Sequence, residues 1–335
     1  MLLRTVIVLF VAVLSCGWLG AVACAADQAQ GLVLERAIPL DGVSGRIDHM
    51  AVDLKRSHLA VAELGNDTVD LIDLSAGQVV HRISGLHAPQ GVAFIQSADL
   101  LAVANAGDGS VEFFRAGDFS PVGGIDLGDD ADNLHVDRRT GHLVVGYGEG
   151  GLAIIDPKTR SKLADIPLPA HPEGFQLAAD GNRAFVNVPD AQQIASLDLI
   201  SGQQTATWRA PDLQSNFPMA LDRQGRTLAV SFRGPARLAL FDTGSGEVIA
   251  DVDACGDADD VFFDERRRRI YVVCGAGAVD VFDRNESGLR RMAQVETAPG
   301  ARTGLFVPEL DRLFVAARSA SPGADAKILV FRPSP

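Results

Sequence analysis

Aromatic side chains are scarce in this 335-residue chain, at 6%, with two tryptophans and two tyrosines. Only four cysteines and seven histidines occur. None of them forms a C-x-x-C-H haem site or a zinc-type Cys/His spacing. No G-x-S-x-G elbow and no H-E-x-x-H pair is present. The glycine-rich stretches Gly148-Glu149-Gly150-Gly151 and Gly275-Ala276-Gly277 stand between strand-like runs rather than before helices, which excludes phosphate-binding loops. Positive charge is also short: 30 Lys and Arg face 43 Asp and Glu, a formal net charge of −13. An acidic surface repels phosphates and anionic headgroups, so neither nucleic acid nor a membrane surface is expected as a partner. Beyond the N-terminus no segment keeps a helical period.

The N-terminus reads as a targeting segment. Arg4 supplies the positive region, Thr5 to Leu14 is almost wholly apolar, and Ala23-Cys24-Ala25 fits an A-x-A cleavage site. Residues 1–25 are therefore expected to be removed, leaving a periplasmic or secreted chain with no membrane insertion. Cys16 and Cys24 lie in fragments that partly resemble a lipobox. The mature chain keeps Cys255 and Cys274. Two thiols in an oxidising compartment invite a disulfide, with two buried free thiols as the alternative.

What is abundant is repetition. Short apolar runs recur behind polar loops, as in Asp48-His49-Met50-Ala51-Val52-Asp53 and Asp132-Asn133-Leu134-His135-Val136-Asp137. Val52, Phe94, Val136, Leu177, Leu221, Phe263 and Val307 mark the repeats, which step by 41 to 44 residues. Each unit holds four strand-like runs, A to D, bounded by Gly, Asp, Pro and Ser. Such a unit cannot bury both faces alone, and seven arranged radially can. The expected fold is an all-β, seven-bladed β-propeller over residues 26–335. The seventh unit ends after its C strand, Lys327 to Phe331, while Leu32 to Leu40 reads as a D strand with no unit before it. The two are expected to share one sheet and close the ring. Cys255, just before the sixth A strand, and Cys274, at the end of the sixth B strand, then arrive at one end of one blade.

Degenerate tetrapeptides such as Tyr271-Val272-Val273-Cys274 and Leu101-Ala102-Val103-Ala104 resemble the YVTN repeat. From about Leu32 to Phe331 the chain resembles the YncE-like periplasmic propellers. That resemblance implies the propeller fold and little chemistry, since fold alone does not license function.

In such a ring the D–A and B–C loops share one face, here called the top. Four positions before each repeat marker stand Asp48, Gln90, Asp132, Glu173, Phe217, Asp259 and Thr303. Asp48, Asp132, Glu173 and Asp259 are candidate ligands for a divalent cation such as calcium, which takes oxygen donors. Asp and Asn that merely shape turns are the alternative. Arg46, His49, Gln90, Asn133, His171, Asn216, Asp260 and Arg302 flank the ring as candidate ligand-binding residues, with His87, Asp130 and Asp257 nearby. The basic run Glu265-Arg266-Arg267-Arg268-Arg269 falls in an A–B turn on the opposite face. It reads as a solvated turn, or else as a site for an anionic partner.

Three functions fit. The first is a binding or scaffold protein whose top face holds a ligand, cation, small molecule or periplasmic protein. The second is a metal-dependent lactonase-type hydrolase, with His49 or His171 as base. The third is an accessory subunit of a periplasmic redox enzyme.

Overall fold

Seven four-stranded antiparallel sheets form a closed ring. The computed structural model describes residues 31–285, 288–319 and 325–335. The expected targeting segment, with its cleavage site, lies outside them. The first blade is built from Met50–Asp53, His58–Glu63, Thr68–Asp73 and Gln78–Ser84. Later blades open with A strands at Pro89–Ile95, Ala131–Val136, Phe175–Leu177, Gln214–Leu221, Ala258–Asp264 and Thr303–Val307. Among the described residues the only helical elements are two 3-10 turns, Leu64–Asn66 and Pro189–Ala191. None of the described helices is long and apolar enough to cross a membrane.

The core is divided into interfaces between neighbouring blades. Ala60, Val69 and Leu71 of the first blade pack on Val92, Leu101 and Phe114 of the second. Phe185, Ile194 and Trp208 of the fourth meet Val230 and Phe241 of the fifth. Alternation along each strand sends successive side chains to opposite faces. Each sheet therefore feeds the core on both sides, which explains why the B and C strands are mostly apolar along their whole length. Aspartates close many of the hairpins. Asp73, Asp198 and Asp242 each accept backbone N–H groups two and three residues ahead, an Asx turn.

Ring closure follows the expected scheme. Strand Leu32–Leu40 pairs antiparallel with Ala326–Pro333, from Leu32 opposite Pro333 to Leu40 opposite Ala326. The sheet's order places it outside the last three strands, in the D position. A finer feature supports that equivalence. The C–D pairing of each of the other blades carries one register shift, for instance at Leu71/Ile72, Ile154/Ile155 and Leu240/Phe241. The clasp carries its own between Leu34 and Arg36. A one-residue bulge moves the following side chains to the other face. Leu32 thus packs with Tyr271 and Phe331 toward the sixth blade. Ile38 and Leu40 pack with Leu59 and Ile72 of the first. The bulged residue, Glu35, contacts Arg312 and lies 3.2 Å from Arg332.

Cys255 and Cys274 are joined by a disulfide, with their Cα atoms 5.9 Å apart. The bond ties the segment entering the sixth blade to the end of that blade's second strand.

Candidate functional site

A channel of about 1400 Å³ runs through the ring. Its upper mouth owes its polar lining to irregular strand starts. The A–B pairings shift register between Pro89 and Val92, Ala131 and Leu134, Asn216 and Met219, and Ala258 and Asp260. The residues passed over include Asp132, Asn133, Phe217 and Asp259. Each bulge frees its A strand from regular pairing at its upper end and re-aims those side chains into the mouth.

Arg46, Asp48, His49, Asp132, Asn133, Glu173, Asp259 and Asp260 line the channel together. His171 and Arg302 stand behind that wall and reach its carboxylates. His171 Nδ1 lies 2.6 Å from the Gly148 carbonyl oxygen and its Nε2 3.8 Å from Asp132. Arg302 lies 2.8 Å from Asp259 and 3.1 Å from Asp257. Arg46 is 2.6 Å from Asp48. Two candidates have other roles. Asn216 is buried, and its amide donates to the side chain of Asn187 at 2.8 Å and to the Gln193 carbonyl. It bridges two blades and does not line the channel. Gln90 is buried too, and its backbone carbonyl accepts the His49 N–H across the blade boundary. His87 is more than half exposed and faces Asp108 at 3.7 Å, away from the channel.

Among the described residues, no three His, Cys, Asp or Glu side chains are grouped to hold a metal ion. Of the four candidate ligands, Asp48, Asp132 and Asp259 already face arginine or histidine partners within 4 Å. The calcium expectation therefore finds no preformed cage here.

Two functional residues escaped the sequence reading. Arg233 stands one residue before the end of the fifth blade's B strand, Thr227–Gly234. It contacts Asp259, lies 3.5 Å from Asp257, and stacks 3.7 Å over the Phe217 ring. The assignment of B–C loops to the top face was the available signal for it. His135 sits lower in the channel, edge-on to Phe175 at 4.7 Å. Burial, with help from the His49 charge, pushes its pKa down to about 4, so it is neutral.

The mouth's other histidines behave oppositely. Burial disfavours a charged His49, but the carboxylates of Asp48, Asp260, Asp132 and Asp259 outweigh it and raise its pKa to about 9. Burial likewise opposes the charge on His171, and Asp132, the Gly148 carbonyl and Asp130 raise it to about 9. Burial and the nearby Asp132 charge raise Glu173 to about 7. Burial also raises Asp260 to about 7, against the pull of His49 and of the Gly304 N–H it accepts.

These shifts give stability a definite pH dependence. The imidazoles hold protons more tightly in the folded chain than at their ordinary 6.5, so their contribution is full below 6.5 and lost as pH rises through about 9. Glu173 and Asp260 keep protons that the unfolded chain has already released above 4.5 and 3.8, so stability also falls from there to about 7. Depressed aspartates such as Asp53 and Asp198 act below 3.8, and His135, lowered to about 4, adds stability as pH rises from there to 6.5, so the net fall is read above 6.5. The melting temperature is expected to drop from pH 6.5 to pH 9, the direction shared by His49, His171, Glu173 and Asp260. Thermal melts at constant ionic strength check this, and a flat or rising profile would contradict it.

The ring of seven four-stranded sheets with loops converging on a central mouth defines the chain as a seven-bladed β-propeller. A chain of the mitotic checkpoint complex crystal structure superposes at a TM-score of 0.77 with 14% identity, over 99% of this chain and 100% of that one. A chain of hydrazine synthase from Kuenenia stuttgartiensis superposes at 0.76 with 15% identity, over 95% of this chain and 99% of that one. At such identities the likeness carries the fold alone. No family model and no curated protein matches the sequence.

Proposed function

We propose that the protein is a periplasmic or secreted binding propeller, of the YncE-like kind its repeats resemble. Its upper channel mouth grips a positively charged group of a small molecule or a partner protein. One observation carries this reading: carboxylates outnumber cations in the mouth. Asp48, Asp130, Asp132, Asp257 and Asp259 have Arg46, His49, His171, Arg233 and Arg302 as their ionic partners. Among the described residues no ion pair reaches Glu173 or Asp260, and burial pushes both pKa values up. An ammonium or guanidinium group supplies the charge the mouth lacks, and Phe217 beside Arg233 offers an aromatic wall.

The lactonase-type reading is less well supported. His49 and His171, its candidate bases, hold their protons up to about pH 9 and act here as cations. The likeness to hydrazine synthase brings the redox-accessory reading no residue-level support.

Thermal-shift titration tests the proposal with putrescine, an amidated Gly-Arg-Gly peptide and calcium chloride. The peptide or the diamine is expected to raise the melting temperature of the wild type and not of Glu173→Gln. A calcium shift lost in Asp132→Asn and Asp259→Asn would install the metal reading instead. No shift with any of the three overturns both.

A further inference from the structure

The channel's lower mouth carries charge of the opposite sign. There the A–B turns project Lys55, Arg138, Arg139, Arg223 and Arg266 into the channel's lining, against Asp264, Glu265 and Glu309. On a chain of net charge −13 this is a local reversal.

The turns themselves do not require these cations. Their shape rests on the preceding aspartates. Asp53 Oδ1 accepts the Lys55 N–H at 3.0 Å, Asp137 Oδ1 the Arg139 N–H at 2.8 Å, Asp222 Oδ1 the Arg226 N–H at 2.8 Å and Asp264 Oδ1 the Arg267 N–H at 3.1 Å. Glu265 is likewise engaged, accepting the Arg223 backbone N–H at 2.9 Å.

Other arginines on this face are used by the fold. Arg56 bridges Asp53 and Asp99. Arg267 holds Asp264 and Asp311 and donates to the Ser334 carbonyl, and Arg269 donates to Ser334 and Pro335. The basic run thus divides. Arg267 and Arg269 anchor the end of the chain, while Arg266 turns to the channel with only a 3.8 Å approach to Asp311. Arg138 and Arg223 have no ion pair to their guanidinium groups among the described residues. Every arginine at the upper mouth has one.

We infer that the lower mouth is a second binding site, for a compact multivalent oxyanion bearing carboxylates or phosphates. Unpaired guanidinium forks from the third and fifth blades match such groups in bidentate geometry. The site opens into a channel rather than onto a flat face, and the acidic surface around it repels extended polyanions. Both features favour a small anion that enters the mouth.

Calorimetric titration of the mature protein with citrate and with tripolyphosphate tests this at low salt. Binding of either supports the site, and which of the two binds tells carboxylate from phosphate. The double variant Arg138→Gln/Arg223→Gln is expected to weaken binding by about 10-fold or more, because each removes a charge-assisted contact. Glu173→Gln, at the far mouth, is expected to leave it unchanged. Circular dichroism melts verify that the double variant is folded, as expected for two exposed side chains outside the core. Failure of both anions to bind the wild type overturns the inference. So does binding that the folded double variant retains, or binding confined to an extended acidic peptide.

Discussion

A chain shortened to begin after Leu40 is expected to lose most of its stability, by about 15 °C or more in melting temperature, or to fail to fold. The removed strand buries Leu32, Ile38 and Leu40 almost completely. At roughly 1.5–3 kcal/mol for each large aliphatic side chain, their loss alone is worth about 5–9 kcal/mol. That is comparable to the whole stability of an ordinary domain, about 5–15 kcal/mol. The loss does not stay local. Leu32 closes the interface with the sixth blade, while Ile38 and Leu40 close the one with the first. Deletion therefore loosens two of the ring's interfaces and bares the edge of Ala326–Pro333, whose Ile328 and Val330 are buried. An exposed apolar edge also promotes pairing between chains. Melting curves and light scattering of the shortened chain and of residues 26–335 measure both effects. An unchanged melt would mean that the clasp is dispensable and that the ring is held by its other interfaces.

Removing the disulfide is expected to have the next largest effect. Cys255 and Cys274 are 19 residues apart in sequence, and a cross-link over such a loop restricts the unfolded chain by about 3 kcal/mol in the entropy model. The bond also holds Cys255 in place, where its N–H donates to the buried Asp280 at 2.8 Å. The double variant Cys255→Ala/Cys274→Ala should melt roughly 6–10 °C lower than the oxidised protein, at a few degrees per kcal/mol. Wild type in excess reductant should approach the same value. Thiol titration of the denatured, unreduced chain spanning residues 26–335 should find no reactive thiols. Two per chain would show that the pair stays reduced.

Much of this architecture is legible in the sequence. Val52, Phe94, Val136 and their counterparts repeat because each blade must present the same apolar strand to the same neighbours. The orphan strand Leu32–Leu40 and the unfinished seventh unit pointed to each other because a ring of pairwise contacts has no stable open end. The top-face positions before each A strand were legible for a related reason. They are where the repeats stop agreeing, which frees their side chains from packing. Period and polarity thus determined the number of blades, the closure and the face that carries the charge.

Only the tertiary structure decided which charges meet. Asn216 and Gln90 hold positions equivalent or adjacent to those of Asp132 and Glu173, yet one bridges blades and the other is buried at a blade boundary. Arg233 entered the site from a B strand of another repeat position. His49, just before one A strand, and His135, near the end of another, differ in charge because His135 is buried against Phe175 and His49 faces a wall of carboxylates. Backbone periodicity is a local property, repeated every forty-odd residues, and a sequence displays it directly. Charge pairing and desolvation depend on distances of a few ångströms between side chains from different blades, and those distances exist only once the ring has closed.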